Sequence, residues 1–355
     1  MKQSVKKYKR IVVKIGSSLF YSSDNKLDFT AFNAVAGEIV DLTKNSGKEM
    51  VVVSSGAIAL GMRILGLKER PKEMYMLQVA AAVGQNEVID NYRRIFRAKG
   101  CYVAQILLTR EDIKRERHLN ARNTLNALLK YGIIPVINEN DTVSTDEIKF
   151  GDNDLLSALV SRLISADLLI ILSDVDGLLD KDKNVIRIVS QITPQIRNLA
   201  CPTDKKTCVG GMITKIEAAK ITMASGIPCV IANGRSGNIV NSIINEPEKY
   251  GTLFIPKERL SERKHWIAFG TKPKGTIIVD DGARRALINK KSLLSVGIIA
   301  SEGNFMLGDI VSVKDNNGGE FARGKVRIGN KELEKVKGRR SDKEVIHCDN
   351  IVILS

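Results

Sequence analysis

Two lysines, several glycine turns and a crowd of carboxylates and carboxamides are the groups in this 355-residue sequence whose types and spacing suit phosphate and carboxylate chemistry. Lys14 stands near the end of an aliphatic run in VVKIGSS, before Gly16, which opens a turn. In VVVSSGAIALG, Ser55, Gly56 and Ala57 separate an aliphatic run from an apolar helical pattern. Glycine there lets the backbone approach a ligand closely, and the following helix N-terminus turns amides toward an anion. The segment VINENDTVSTDEIKFGDND gathers Asn138, Asn140, Asp141, Asp152, Asn153 and Asp154. Turn formation and the capping of a helix starting near Leu155 account for one or two of these. The rest point to recognition of a polar ligand. GGMITK leads Gly210, Gly211 and Met212 into a helix that carries Lys215 one turn inside, a second phosphate-binding pattern. Ser173 and Asp174 follow the aliphatic run Leu168–Leu172 and suit either a nucleotide contact or an ordinary turn.

Other chemistries are disfavoured. Neither GxxxxGK[ST] nor GxGxxG occurs, which argues against P-loop and Rossmann nucleotide sites. The histidines (His118, His265, His347) are far apart, and the cysteines (Cys101, Cys201, Cys208, Cys229, Cys348) form no CxxC pair, so no protein metal site is expected. Cys201 and Cys208 flank a short loop and could come close, but a cytosolic chain disfavours a disulfide there.

Strand ends must position these groups, and short aliphatic runs supply them. Lys9–Ile15, Met50–Val53, Tyr102–Leu108, Ile133–Ile137, Leu168–Leu172 and Pro228–Ile231 read as buried strands of a mainly parallel sheet. Between them, Phe32, Val35, Ala36, Ile39 and Val40 share a helical face, with Thr30 as N-cap and Gly47 as stop. Leu125, Leu128 and Leu129 form a second stripe, and Leu155, Leu156, Leu159, Val160 and Leu163 a third. This alternation predicts an α/β fold, a mainly parallel open sheet in an α/β/α sandwich, with ligands beyond the carboxyl ends of the strands. After Pro256 the pattern changes. Residues 257–275 are charged and read as a junction, and TIIVDDG, GIIASEGNF, GDIVSVKD, GEFARGKVRIG and EVIHCDNIVIL predict a small, mostly β domain with one helix around Ala283–Asn289. The expected domains are 1–262 and 274–355.

Hydrophobic residues make up 43% of the chain, enough for a sizeable core, and no apolar run approaches the length of a membrane span. The basic first ten residues lead into a strand pattern rather than an apolar signal segment, so a cytoplasmic protein is expected. The net charge of +15 is spread out: residues 272–355 hold 16 Lys and Arg against 11 Asp and Glu. Without basic blocks interleaved with aromatics, this excess suits anionic substrates as well as nucleic acid and decides between neither.

The ordered set VVKIGSS, SSGAIALG, LLTRED, LNARNTL, PVINENDTV, GDNDLLSA, LLIILSDVDGL and GGMITK resembles the glutamate 5-kinases of the amino acid kinase superfamily along essentially the whole chain, and the C-terminal part resembles a PUA domain. The resemblance implies ATP-dependent phosphorylation of the glutamate side-chain carboxylate with Mg²⁺, the first step toward proline, with proline as feedback inhibitor and a homo-oligomeric state. It assigns Lys14 and Lys215 to the transferring phosphoryl and the nucleotide, and Asp154 to organising both lysines. Ser55, Gly56, Ala57, Asn138, Asp141, Asp152 and Asn153 would hold glutamate. Ser173, Asp174, Gly210, Gly211 and Met212 would line the ATP site. The chain departs from the family pattern in Ser173 for threonine, in Val209 and Ile213 where two hydroxyl residues are usual, and in Cys348 within the C-terminal domain. Two other readings are a superfamily kinase acting on another small acid and an RNA-binding PUA protein with a vestigial kinase domain.

The implied chemistry is consistent with the residue inventory. A glutamate side chain, with a pKa of about 4.3, is already ionised at neutral pH and needs no general base. The demand is for positioning of two anions and neutralisation of developing charge, which lysines and turn amides supply. Asp154 then need not accept a proton. Asp141 can pair with a free ammonium but not with an acetylated amine, which favours glutamate over N-acetylglutamate.

Overall fold

The computed structural model describes residues 8–22, 24, 26–114, 118–143, 152–200, 211–256, 264, 267, 273–339 and 344–354. The chain divides into two compact units, Met1–Glu258 and Arg259–Ser355. Most of the charged stretch 257–275 lies outside the described residues, as do Cys201 and Cys208.

In the first unit the aliphatic runs form strands β1 (Arg10–Ile15), β2 (Glu49–Ser54), β3 (Val103–Leu108), β4 (Ile134–Glu139), β5 (Leu168–Ser173), β6 (Ile188–Val189), β7 (Cys229–Asn233) and β8 (Thr252–Phe254). They join one sheet in the order β3-β4-β2-β1-β5-β7-β8-β6. Its pairings are parallel except that between β7 and β8. The sequence reading missed β6 and β8, which at two and three residues are too short to show a period.

The helices are α1 (Thr30–Ser46), α2 (Ala57–Ile64), α3 (Met74–Ala98), α4 (Arg110–Lys114), α5 (His118–Lys130), α6 (Asp152–Leu163), α7 (Pro194–Leu199), α8 (Met212–Ala224) and α9 (Ile239–Asn245). Strand alternation sorts them onto two faces. Ile11, Val13 and Ile15 of β1, with Met50, Val52, Leu168 and Ile170, pack against Phe32 and Ile39 of α1, Tyr92 and Phe96 of α3, and Ile243 of α9. Val12, Val51, Val53, Leu169 and Ile171 pack against Leu156 and Val160 of α6 and Ile216 and Ala219 of α8. The result is an α/β/α sandwich. Lys14 shares the parity of Val12 and so belongs to the α6–α8 side of the sheet.

Two local details matter for the ligand end. Thr30 is the first helical residue of α1 rather than its cap; Phe29 occupies the cap position, and Asp28 Oδ1 accepts from the Thr30 amide (2.9 Å) and hydroxyl (2.6 Å). Helices α2 and α3 meet backbone to backbone: a Cβ at Gly61 would lie 1.8 Å from the Ala80 carbonyl oxygen, and one at Gly84 would lie 1.9 Å from that of Ala57.

The second unit contains β9 (Gly275–Val279), β10 (Leu293–Leu294), β11 (Ile298–Gly303), β12 (Ile310–Lys314), β13 (Glu320–Lys325), β14 (Glu344–Ile346) and β15 (Ile351–Ile353). Five of these form a sheet in the order β11-β9-β12-β13-β15, and β10 pairs with β14. The helix read near Ala283 spans Asp281–Ile288, with Asp280 capping it by accepting from the Ala283 amide at 2.7 Å. A second helix, Asn330–Val336, was not read, because seven residues with one fully buried apolar side chain, Leu333, show no stripe. Ile277, Val279, Leu287, Phe305, Val311 and Ile346 build this unit's own core.

Candidate active site

Strands β2, β1 and β5 are neighbours in parallel, so their carboxyl ends open on the same side. Lys14 stands near the end of β1, Asp154 in the first turn of α6 and Lys215 in the first turn of α8. Lys14 Nζ lies 2.7 Å from Asp154 Oδ1, and Lys215 Nζ lies 3.3 Å from Asp154 Oδ2. All three are buried, with relative exposures of 5% for Lys14, 0% for Asp154 and 8% for Lys215. Charges so deep persist only when paired. Burial alone would push the Asp154 carboxyl up, but the Lys14 and Lys215 ammonium groups and hydrogen bonds from Lys14 and Thr214 outweigh it and hold the carboxyl below its ordinary value. Burial pushes the Lys215 ammonium below the usual lysine value, an effect Asp154 opposes and Lys14 reinforces. The cluster carries two positive charges against one negative, an excess suited to an anion.

The turn before α8 completes this half. Gly211 holds φ +76°, which glycine adopts without strain. Its carbonyl accepts from Thr214 Oγ1 at 2.9 Å and from Lys215 Nζ at 3.3 Å. Thr214 Oγ1 also lies 2.7 Å from Asp154 Oδ2, so Thr214 fixes the carboxylate that the lysines share. The sequence reading did not single out Thr214, although its place beside Lys215 in GGMITK was the available signal. Met212 is the first residue of α8, and Gly210 lies outside the described residues. Ser173 is buried, and its hydroxyl has no hydrogen-bond partner among the described residues. Asp174 is exposed and near enough to Lys215 to favour its charged form.

A second cluster lies at the ends of β2 and β4. The Ser55 amide donates to the Ile15 carbonyl at 3.1 Å, tying the β2 turn to β1. Gly56 adopts φ +104°, and a Cβ there would sit 2.2 Å from the Phe20 ring, so this turn admits only glycine. Ala57 begins α2 with no side-chain cap, which leaves the helix N-terminus to a ligand or water. Asn138 Oδ1 accepts from the Glu139 amide (2.9 Å) and from Asn153 Nδ2 (2.9 Å), and Asn138 Nδ2 donates to Gln85 Oε1 at 2.7 Å. Gln85 was missed from the sequence together with α3, which the sequence reading did not name. Asp141 is half-buried and close enough to the half-buried Arg70 to favour the guanidinium's charge. Asp152 begins α6; its side chain and residues 144–151 lie outside the described set.

The structure therefore brings Lys14, Asp154 and Lys215 into direct contact, and Asn138 and Asn153 into a second group joined to the first through consecutive α6 residues. A cavity of about 270 Å³ lined by Asp176, Arg187, Asn233, Lys249 and Tyr250 contains none of the residues read from the sequence.

The amino acid kinase family model matches residues 9–233, and the PUA domain model matches residues 275–348. Among curated proteins, the chain is 46% identical to the glutamate 5-kinase of Caldanaerobacter subterraneus subsp. tengcongensis, covering 97% of this chain and 98% of that one. It is 44% identical to the glutamate 5-kinase of Geobacter sulfurreducens, covering 98% of each.

Proposed function

The chain belongs to the amino acid kinase family and, within it, to the glutamate 5-kinases, and from that membership we propose that it transfers the terminal phosphoryl group of ATP to the side-chain carboxylate of L-glutamate, forming L-glutamyl 5-phosphate and ADP. The observation that carries this reading is the buried Lys14–Asp154–Lys215 cluster, with two cations to one anion at the carboxyl end of the sheet. A carboxylate oxygen of glutamate attacks the γ-phosphorus, the bond to the bridging oxygen breaks, and its electron pair leaves with ADP. Lys14 and Lys215 offset charge on the transferring group. Asp154 is engaged by both lysines and Thr214, so it aligns them rather than taking a proton, which an ionised carboxylate does not require.

Ser55, the amides of Gly56 and Ala57, Asn138, Asp152 and Asn153 hold glutamate in this reading, with Asp141 taking its ammonium group. Ser173, Asp174 and the turn Gly210–Met212 hold the nucleotide. Magnesium enters as part of the MgATP substrate: among the described residues the grouped metal-ligating side chains are His347, Cys348 and Asp349 of the second unit, and Asp154 is occupied by ammonium groups. No helix among the described residues is long and apolar enough to cross a membrane. Cytoplasmic location, homo-oligomerisation and inhibition by proline rest on the family resemblance. So does the division into a catalytic domain, 1–262, and a PUA-like domain, 274–355. An RNA-binding protein with a vestigial kinase domain is not favoured, because Lys14, Asp154 and Lys215 are all retained and joined.

The test is to incubate the protein with MgATP, hydroxylamine and a panel of acids. Hydroxamate should form with L-glutamate and far less with aspartate or N-acetylglutamate; preference for either of those would overturn the assignment.

A further inference from the structure

The hydrogen bonds around Asn138 fix the orientation of an amide that the family reading leaves unassigned. The Glu139 amide is a donor by nature, so the Asn138 atom 2.9 Å from it is the oxygen Oδ1. Asn138 Nδ2 is then the atom facing Gln85 at 2.7 Å, and the Gln85 atom receiving it is Oε1. This leaves Gln85 Nε2 as a donor. It is buried, on a residue only 9% exposed, and has no hydrogen-bond partner among the described residues. A buried donor without an acceptor is unfavourable, and a ligand oxygen would relieve that cost. Its partner Asn138 stands near the end of β4 and also bonds Asn153 of α6, so the donor sits within the second cluster at the carboxyl end of the sheet.

We propose that Gln85 Nε2 donates to a carboxylate oxygen of the bound acceptor amino acid, making Gln85 a specificity residue for an acidic substrate. The assignment rests on the glutamate-kinase reading above. Its chemistry is directional: Nε2 can only donate, so it selects an acceptor group such as a carboxylate and rejects a donor. Asn138 holds the amide in that sense by occupying its oxygen.

Gln85→Glu tests this most directly, since it is nearly isosteric, keeps an oxygen toward Asn138 and replaces the donor with a second oxygen. Gln85→Met removes both polar atoms and decides the matter if the first variant does not fold. The KM for glutamate should rise by about tenfold or more in both variants, more in Gln85→Glu, with the KM for ATP within about twofold of wild type. In thermal melts at a fixed glutamate concentration, glutamate should stabilise either variant less than wild type, while ATP stabilises them as before. A glutamate KM and a glutamate-induced melting shift that both remain at wild-type values would overturn the proposal, even if the unliganded variant melts lower. Failure of the underlying reading is separable, because the wild-type protein would then form no glutamyl hydroxamate at all.

Discussion

Replacing Asp154 with asparagine removes one charge and almost no volume, and the geometry gives the size of the effect. Two ammonium groups lie 2.7 and 3.3 Å from its oxygens. At an effective dielectric constant of about 20, pairs at these distances attract by on the order of 5–6 kcal/mol before desolvation. Without the carboxylate, Lys14 and Lys215 remain buried beside each other with a neutral partner, and breaking a buried pair in this way costs roughly 3–5 kcal/mol of stability. For a unit of this size the melting temperature should fall by on the order of 10 °C. The asparagine side chain keeps one oxygen, so it can serve either Lys14 or the Thr214–Lys215 pair but not both. Loss of one aligned cation lowers kcat by about 10²- to 10³-fold. The KM for ATP should hold or fall, since the triphosphate supplies the negative charge that the variant lacks. Steady-state kinetics and melts with and without ATP measure all three effects. A variant that melts lower yet turns over within about threefold of wild type would refute the alignment role of Asp154.

Three further outcomes follow from other parts of the site. Because burial places the Lys215 ammonium below the ordinary lysine value, kcat should decline on the alkaline side before free lysine titrates, and Lys215→Arg should move that decline to higher pH in a pH–rate profile. If Asp141 pairs with the substrate ammonium, Asp141→Asn should raise the KM for glutamate by roughly 10- to 150-fold and leave that for ATP unchanged; equal shifts in both would contradict the assignment. Gly84→Ala places a methyl group 1.9 Å from the Ala57 carbonyl oxygen, so it should destabilise the protein by about 1–3 kcal/mol or more and raise the glutamate KM by displacing the α2 turn. Melting curves and kinetics on that variant measure both.

Much of the scaffold was legible in the sequence because six of the eight strands of the first unit are five or six residues long, all but the edge strand β3 are mostly buried, and their aliphatic runs leave little ambiguity. Lys14 was legible as chemistry because it stands near the end of such a run, Lys215 because it follows a glycine turn at a helix start, and Asp154 because it belongs to a segment with more polar groups than turns and caps require. What stayed hidden depends on contacts between segments distant in sequence. Gln85 meets Asn138 across 53 residues, and Thr214 meets Asp154 across 60, so neither role is written in its own neighbourhood. The same holds for β8, whose three residues become a strand only by pairing with β7 and β6. Sequence reasoning also gave Thr30 the capping role that Asp28 fills, because a hydroxyl at a helix start and an aspartate two residues earlier carry similar signals.

The glycine contacts between α2 and α3 have a mechanical consequence. With no side chain at Gly61 or Gly84 to cushion the crossing, the two helices cannot slide past each other by swapping rotamers and must travel as one stiff plate. The Ser55–Ala57 turn leads into α2 and Gln85 stands on α3, so these groups keep their mutual spacing when the protein breathes. Lys14 is anchored separately, on a central strand of the sheet, and Asp154 and Lys215 on α6 and α8. The Gln85–Asn138–Asn153 hydrogen bonds tie the plate to α6, so in the proposed reading it keeps a fixed distance from Asp154 as well.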